Sequence, residues 1–172
     1  LNKIGIPHRL IIPIGNDAYG DFIVDKLSEH SIGTEHVICL NDIATSSSVV
    51  LLNNEGERCF LHHPGANSVL NVDNIDFSII AKSDILFIGG ALLMPTFDGN
   101  QMKSVLKYAK SQNVYTVLDI AWDPSGKWMK TLSQVLPYVD LFIPSIDESI
   151  MLSGQNELLK MNEIFMKHGE KK

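Results

Sequence analysis

The 172 residues are 45% hydrophobic and 20% charged, enough for about one domain with its own core and ordinary for a soluble globular protein. A formal charge of −6 opposes a phosphate-backbone partner, and no apolar run approaches the roughly 20 residues of a membrane helix, so neither nucleic acid nor membrane is expected. Cys39 and Cys59 are too few for a disulfide framework and point to a reducing, cytoplasmic setting.

Leu1-Asn2-Lys3-Ile4-Gly5 reads as the last turn of a helix with its glycine stop. Residues 9–14 read as a strand, with Pro13 a caution against a mid-sheet position. Gly15-Asn16-Asp17-Ala18-Tyr19-Gly20 is then a turn. Asp17 is its helix N-cap, and Phe22, Ile23 and Leu27 follow at helical spacing until Gly33. A strand, a glycine turn and a helix invite a dinucleotide-binding reading. The Gly-x-Gly-x-x-Gly fingerprint is not met, however, and a carboxylate in the turn would oppose a pyrophosphate.

Residues 36–40, 46–52 and 58–63 are short, rich in β-branched or aromatic side chains, and separated by turn signals, of which Asn53-Asn54-Glu55-Gly56 marks a hairpin. No helical stretch divides them, so they are expected to be antiparallel, forming an inserted β-layer over residues 36–63. Alternation in the last strand places Arg58, Phe60 and His62 on one face and Cys59, Leu61 and His63 on the other. A cation, a ring and an imidazole on one face suit closure over a polar ligand, or equally a subunit interface.

Residues 74–81 read as a short amphipathic helix and 84–88 as a buried strand ending in Gly89-Gly90. Met102, Val105, Leu106 and Ala109 make one apolar helix face. The runs 115–118 and 141–143 are too short for helices and too uniformly apolar for a sheet with one wet face, so they read as buried parallel strands. Short helices are expected at 131–136 and at 147–152, the latter stopping at Gly154, and Leu158, Met161, Ile164 and Phe165 line a final one.

Open parallel sheets bind ligands outside the carboxyl ends of their strands. Asp119 ends one run, and Ser145, Asp147 and Glu148 follow the next. Asp119, with Trp122 and Trp128 nearby, suits a ligand that combines hydroxyls with an apolar face; alternatively it caps a turn beside two core rings. Glu148 either complements a helix macrodipole or holds a hydrated Mg²⁺, a hard cation that takes one or two carboxylates beside phosphates. Of the six histidines only His62 and His63 adjoin, and adjacent strand side chains point apart, so no metal cluster is expected.

The order of these motifs resembles the ribokinase-like (PfkB) family of carbohydrate kinases over nearly the whole chain. The turn Gly15 to Gly20 resembles the family's Gly-x-Asp-x-Phe-Gly, and Ser31-Ile32-Gly33-Thr34-Glu35 stands in the place of its Gly-Val-Asp segment. Thr45, Gly56-Glu57-Arg58 and Gly65-Ala66-Asn67 follow its lid hairpin. Asp119 falls at its strand-end Asp or Asn, and Pro144-Ser145-Ile146-Asp147-Glu148 through Gly154 resembles its Pro-Asn-x-x-Glu to Leu-Thr-Gly stretch, with Ser145 in place of the Asn.

The resemblance implies a Rossmann-like three-layer α/β/α sandwich with a small β-sheet lid, truncated at both ends. Residues 1–35 and 64–172 would be a partial α/β core, and 36–63 the lid insertion. It implies transfer of the ATP γ-phosphate to a small sugar, with Mg²⁺, by a homodimer joined through the lid. Phe60, His62 and Asp119 would face the sugar; Ser145 and Glu148 would influence Mg²⁺ and phosphate. The family's Gly-Gly-x-x-x-Asn sugar motif would precede Leu1, and its Gly-Ala-Gly-Asp motif, with the catalytic Asp, would follow Lys172. No residue here is therefore read as catalytic, and this segment alone is expected to be inactive. The alternative is a protein of the same fold that only binds a sugar or assembles through its lid.

Overall fold

The computed structural model describes residues 1–169; Glu170, Lys171 and Lys172, which close the expected last helix end, lie outside the described residues. The chain divides into two compact units, Leu1–Leu70 and Asn71–Lys172.

The first unit opens with β1 (Ile12–Gly15), α1 (Ala18–Glu29) and β2 (Val37–Leu40). The Asp17 side chain caps α1 by accepting from Gly20 N at 2.8 Å, as the turn predicts. The helix stops at Glu29, ahead of the expected Gly33, because Ser31 already takes a left-handed φ of 54°. β2 pairs parallel with β1, from Ile12↔Val37 to Gly15↔Leu40. This corrects the antiparallel placement of residues 36–40. The helix between the two strands is the crossover that returns the chain in the same direction, so β2 completes a βαβ unit rather than the inserted layer.

The hairpin that follows is β3 (Ser47–Leu52) and β4 (Arg58–His63), antiparallel from Ser47↔His63 to Leu52↔Arg58. Its turn is held by Asn53, whose Oδ1 accepts from Glu55 N at 3.0 Å and Glu57 N at 2.9 Å. Pairing places Ser48, Val50 and Leu52 opposite His62, Phe60 and Arg58, the face that alternation predicts. Both faces are open to solvent: Val49, Val50, Leu51, Leu52, Phe60 and Leu61 are all exposed.

The second unit holds α2 (Phe77–Ala81), β5 (Ile85–Ala91), α3 (Asn100–Ser111), β6 (Tyr115–Ile120), α4 (Met129–Leu132), β7 (Leu141–Phe142), α5 (Ile146–Ser153) and α6 (Leu158–His168). β5, β6 and β7 form one parallel sheet in that order. The four apolar residues expected on one face of α3 are all buried, with Met102, Leu106 and Ala109 at 0% exposure. They meet the face carrying Ile88, Thr116, Leu118 and Ile120, which are buried too. The opposite face presents Ile85, Phe87, Tyr115, Leu141 and Ile143 to solvent, so these strands are not buried on both faces. Asp140 ties the layers: its carboxylate takes Lys110 Nζ of α3 at 2.6 Å and Thr116 N of β6 at 2.9 Å.

Two expected helices are broken, each for a local reason. Over 74–81, Ile75 is extended and Asp76 caps a fresh start by accepting from Ser78 N, so a 3₁₀ turn at Val72–Asn74 precedes α2. Over 131–136, α4 starts earlier and ends at Leu132, and a 3₁₀ turn at Leu136–Tyr138 contains Pro137, whose missing N–H cannot continue an α-helical ladder. Among the described residues no helix is long and apolar enough to cross a membrane.

Candidate functional site

In the second unit the expected site residues gather at the carboxyl edge of the sheet. Asp119 lies near the end of β6, half-buried, on the face opposite α3. Among the described residues its carboxylate has no hydrogen-bond partner. The β5–β6 register runs to Ile88↔Leu118 and resumes at Ala91↔Ile120, so Gly89 and Gly90 together span the single residue Asp119. This is a β-bulge, a device that kinks the edge of a sheet and re-aims side chains. Gly90 takes the left-handed conformation, φ 73°, and a Cβ there would meet nothing within 4 Å. Gly90 thus leaves open backbone beside an unengaged carboxylate, whereas the Phe87 ring already fills the space a Cβ of Gly89 would take.

Two further carboxylates shape the loops leaving this edge. Asp98, which the sequence reading did not single out, accepts from Leu92 N and Met94 N, both at 2.9 Å, and so closes the loop after β5. Leu92 sits in that loop at a φ of 76°. Burial pushes the Asp98 carboxyl up to about 6, against its two backbone donors and with help from the negative charge of Asp123. The one signal for it in the sequence was an Asp-Gly pair just ahead of a helix pattern. Asp98 also lines a cleft of about 480 Å³ with Asn100, Lys127, Lys130, Thr131 and Gln134.

Asp123 closes the loop after β6, accepting from Ser125 N at 2.8 Å, Ser125 Oγ at 2.7 Å and Trp128 N at 2.6 Å. Burial alone would raise its carboxyl, but these donors prevail and hold it below the usual range. The loop divides the tryptophans: Trp128 is buried and Trp122 is 55% exposed, ring against ring edge at 5.0 Å. Only Trp122 can offer a face to a ligand.

At the end of β7, Ser145 caps α5 in a reciprocal box with Glu148. Ser145 N donates to Glu148 Oε2 at 2.8 Å, and Glu148 N donates to Ser145 Oγ at 3.3 Å. One oxygen of Glu148 is thus committed to the helix start, which leaves the other for a ligand. Among the described residues no three His, Cys, Asp or Glu side chains converge to hold a metal. Glu148, half-buried with the exposed Asp147 beside it in the first turn of α5, fits a hydrated Mg²⁺ carried on phosphates, reached through water, and does not fit a protein-borne chelate.

In the first unit, Phe60 and His62 share one face of the hairpin, Phe60 exposed and His62 half-buried. Ser48 Oγ and His62 Nδ1 are hydrogen-bonded at 2.8 Å across the strands. The other ring nitrogen, Nε2, is buried with no hydrogen-bond partner among the described residues, the kind of group that calls for an explanation. Cys39 and Cys59 are both free and exposed.

A family profile described as pfkB family carbohydrate kinase matches residues 1–172. A putative sugar kinase of Pyrococcus horikoshii is 20% identical over 165 residues, 93% of this chain and 53% of the relative. Among solved structures, a putative ribokinase II from E. coli in complex with ATP and Mg²⁺ superposes with a TM-score of 0.79 at 21% identity, covering 99% of this chain and 56% of that one. Arabidopsis thaliana ribokinase complexed with ribose and ATP gives 0.76 at 20% identity, covering 98% and 54%. The chain therefore spans about half the length of these relatives, and the structural likenesses carry the ribokinase-like α/β fold.

Proposed function

Since the chain belongs to the pfkB family of carbohydrate kinases, we propose that the protein transfers the γ-phosphate of ATP to a hydroxyl of a small sugar, a hexose or keto-sugar. The observation that carries this reading is the unengaged Asp119 carboxylate opposite the Gly89-Gly90 bulge at the carboxyl edge of β6. A carboxylate there can accept from two sugar hydroxyls, and Gly90 lets a sugar ring approach the backbone closely. Trp122 offers the aromatic face that the apolar side of a sugar prefers. Phe60 and His62 are proposed as the further sugar contacts, on a lid formed by the hairpin within residues 36–63. Residues 1–35 and 64–172, together with β2, are then the partial core.

ATP and Mg²⁺ are the proposed cofactors. Mg²⁺ would neutralise charge on the transferring phosphate, and Glu148, held in place by the Ser145 cap, would act on its water shell. A cytoplasmic setting and a homodimer joined through the exposed apolar hairpin belong to the same proposal. These 172 residues alone are proposed to be inactive, in keeping with a span of about half the relatives' length.

The test is an ATP- and Mg²⁺-dependent phosphorylation screen over hexoses, pentoses and keto-sugars. It compares this chain with the longest polypeptide its gene encodes. Turnover by the longer protein, lost in Asp119→Ala, supports the reading. A second reading, a sugar binder without catalysis, is favoured by one observation: Ser145, where the resemblance expects Asn, spends its side chain on the helix cap. Sugar binding by the longer protein with no ATP consumption would select it.

A further inference from the structure

We propose that Asp17 and Thr45 form the latch of the β3–β4 hairpin, so that Asp17 is a positioning residue for the lid. The use of the hairpin as a lid rests on the functional reading above; the latch itself rests on bonds within the first unit. Thr45 is 3% exposed and stands just before the hairpin begins. Its backbone N donates to Asp17 Oδ2 at 2.7 Å, and its hydroxyl donates to Asp17 Oδ1 at 2.7 Å. The same hydroxyl accepts from Gly15 N at 2.9 Å, at the end of β1. Asp17 meanwhile caps α1 through Gly20 N. One carboxylate therefore joins the end of β1, the start of α1 and the entry of the hairpin.

The exit of the hairpin is pinned to the same strip of backbone. Ala66 N donates to Ala44 O at 2.8 Å. A Cβ at Gly65 would collide with the backbone of Ala44 to Ser46, and one at Gly15 with the backbone of Ile43 to Thr45. The strip 43–46 is thus sandwiched between two glycines, one from β1 and one from the hairpin exit. Both roots of the hairpin end at one clamp.

The clamp matters because the hairpin has little else. Its apolar side chains are exposed on both faces, and an isolated two-stranded hairpin is marginally stable at best in water. Its order must come from its roots. The three donors from Thr45 and Gly20 also hold the Asp17 carboxyl below its usual range, in keeping with an ionised latch.

The experiment is residue-resolved hydrogen exchange on this chain without ligand, comparing wild type with Thr45→Val, Thr45→Ser and Asp17→Asn. A variant of the same unit away from the clamp, Val24→Ala at a half-buried position of α1, serves as control. Thr45→Val keeps shape and removes the hydroxyl. It is expected to speed exchange at amides of Ser47–Leu52 and Arg58–His63 about tenfold relative to those of Tyr115–Ile120, the loss of a charge-assisted bond at the clamp. Thr45→Ser should restore protection, and Val24→Ala should not select the hairpin. Equal acceleration across the chain in Thr45→Val, or none in the hairpin, would overturn the latch. Should Thr45→Val fail to fold, the same comparison is read from Asp17→Asn, which retains the cap geometry. Added sugar tests the lid separately: hairpin amides that gain no protection in the longer protein would count against the lid and leave the latch standing.

Discussion

The β3–β4 hairpin and the β5–β6–β7 sheet are made of the same material, short runs of Val, Ile, Leu and Phe, yet they are held by different forces. In the sheet, α3 lays four apolar residues on one face and the interior is dry. In the hairpin, no helix among the described residues covers either face, and a buried hydroxyl and a carboxylate at the roots take over. Apolar content therefore says little about where stability resides; what covers the strands decides it. An element held by polar roots and loaded with exposed apolar side chains belongs to the low-stability end of a fold, where moving parts are drawn from.

The sharpest test of this contrast is a pair of truncations. Leu106→Ala opens a cavity in the fully buried α3 interface and is expected to cost about 3 kcal/mol in chemical denaturation. Leu61→Ala, 59% exposed on the hairpin, is expected to change stability by less than about 0.5 kcal/mol. Similar losses at both positions would mean that the hairpin carries a core of its own.

Next in size is the pH response. The folded-state pKa of Asp98 is raised to about 6, so the folded protein binds this proton more readily than the unfolded chain. Its contribution to stability is largest below the unfolded value near 3.8 and is lost as pH rises through 6. Asp17 runs the other way: its pKa is lowered, so its contribution is present above 3.8 and is lost as pH falls through the folded value. Asp98 feels the charge of Asp123 and shares its cleft with Lys127 and Lys130. Asp98→Asn should flatten the fall in Tm between pH 4 and 7, and Asp17→Asn should leave that window unchanged. A melting series at intervals of pH decides between them.

A smaller effect is expected at the α5 cap. Ser145→Ala removes one half of the capping box and should cost about 1 kcal/mol, whereas Ser145→Asn supplies an equally good cap and should be close to neutral. Under the kinase reading, Ser145→Asn also retains or raises turnover in the longer protein. A loss of turnover with an intact Tm would separate this residue's role at phosphate from its role as a cap.

Much of the site was legible where partners are close in sequence. The Asp17 cap, the Ser145–Glu148 neighbourhood and the buried face of α3 all follow from spacings of three or four residues, and the structure places each as the pattern suggests. The shared face of Phe60 and His62 follows from alternation along one strand. The direction of β2 was misread because a short apolar strand carries no mark of its partner, and only the α1 crossover settles it. Asp98 was missed because an aspartate before a helix looks like a cap; its burial, and hence its raised pKa, comes from the packing around it.

By itself the sequence determined the local grammar: caps, hairpin turn, helix faces, and the order of motifs by which the family resemblance was drawn. Those are set by i→i+2 to i→i+4 contacts and by side-chain periodicity, which are written in consecutive residues. The tertiary structure decided what depends on distant pairs. It joined Asp17 to Thr45 across 28 residues, set two glycines of β5 against Asp119 of β6, and left one face of the sheet dry and the other exposed. Such pairings arise from closing loops and excluding water over a whole surface, and no window of adjacent residues records them.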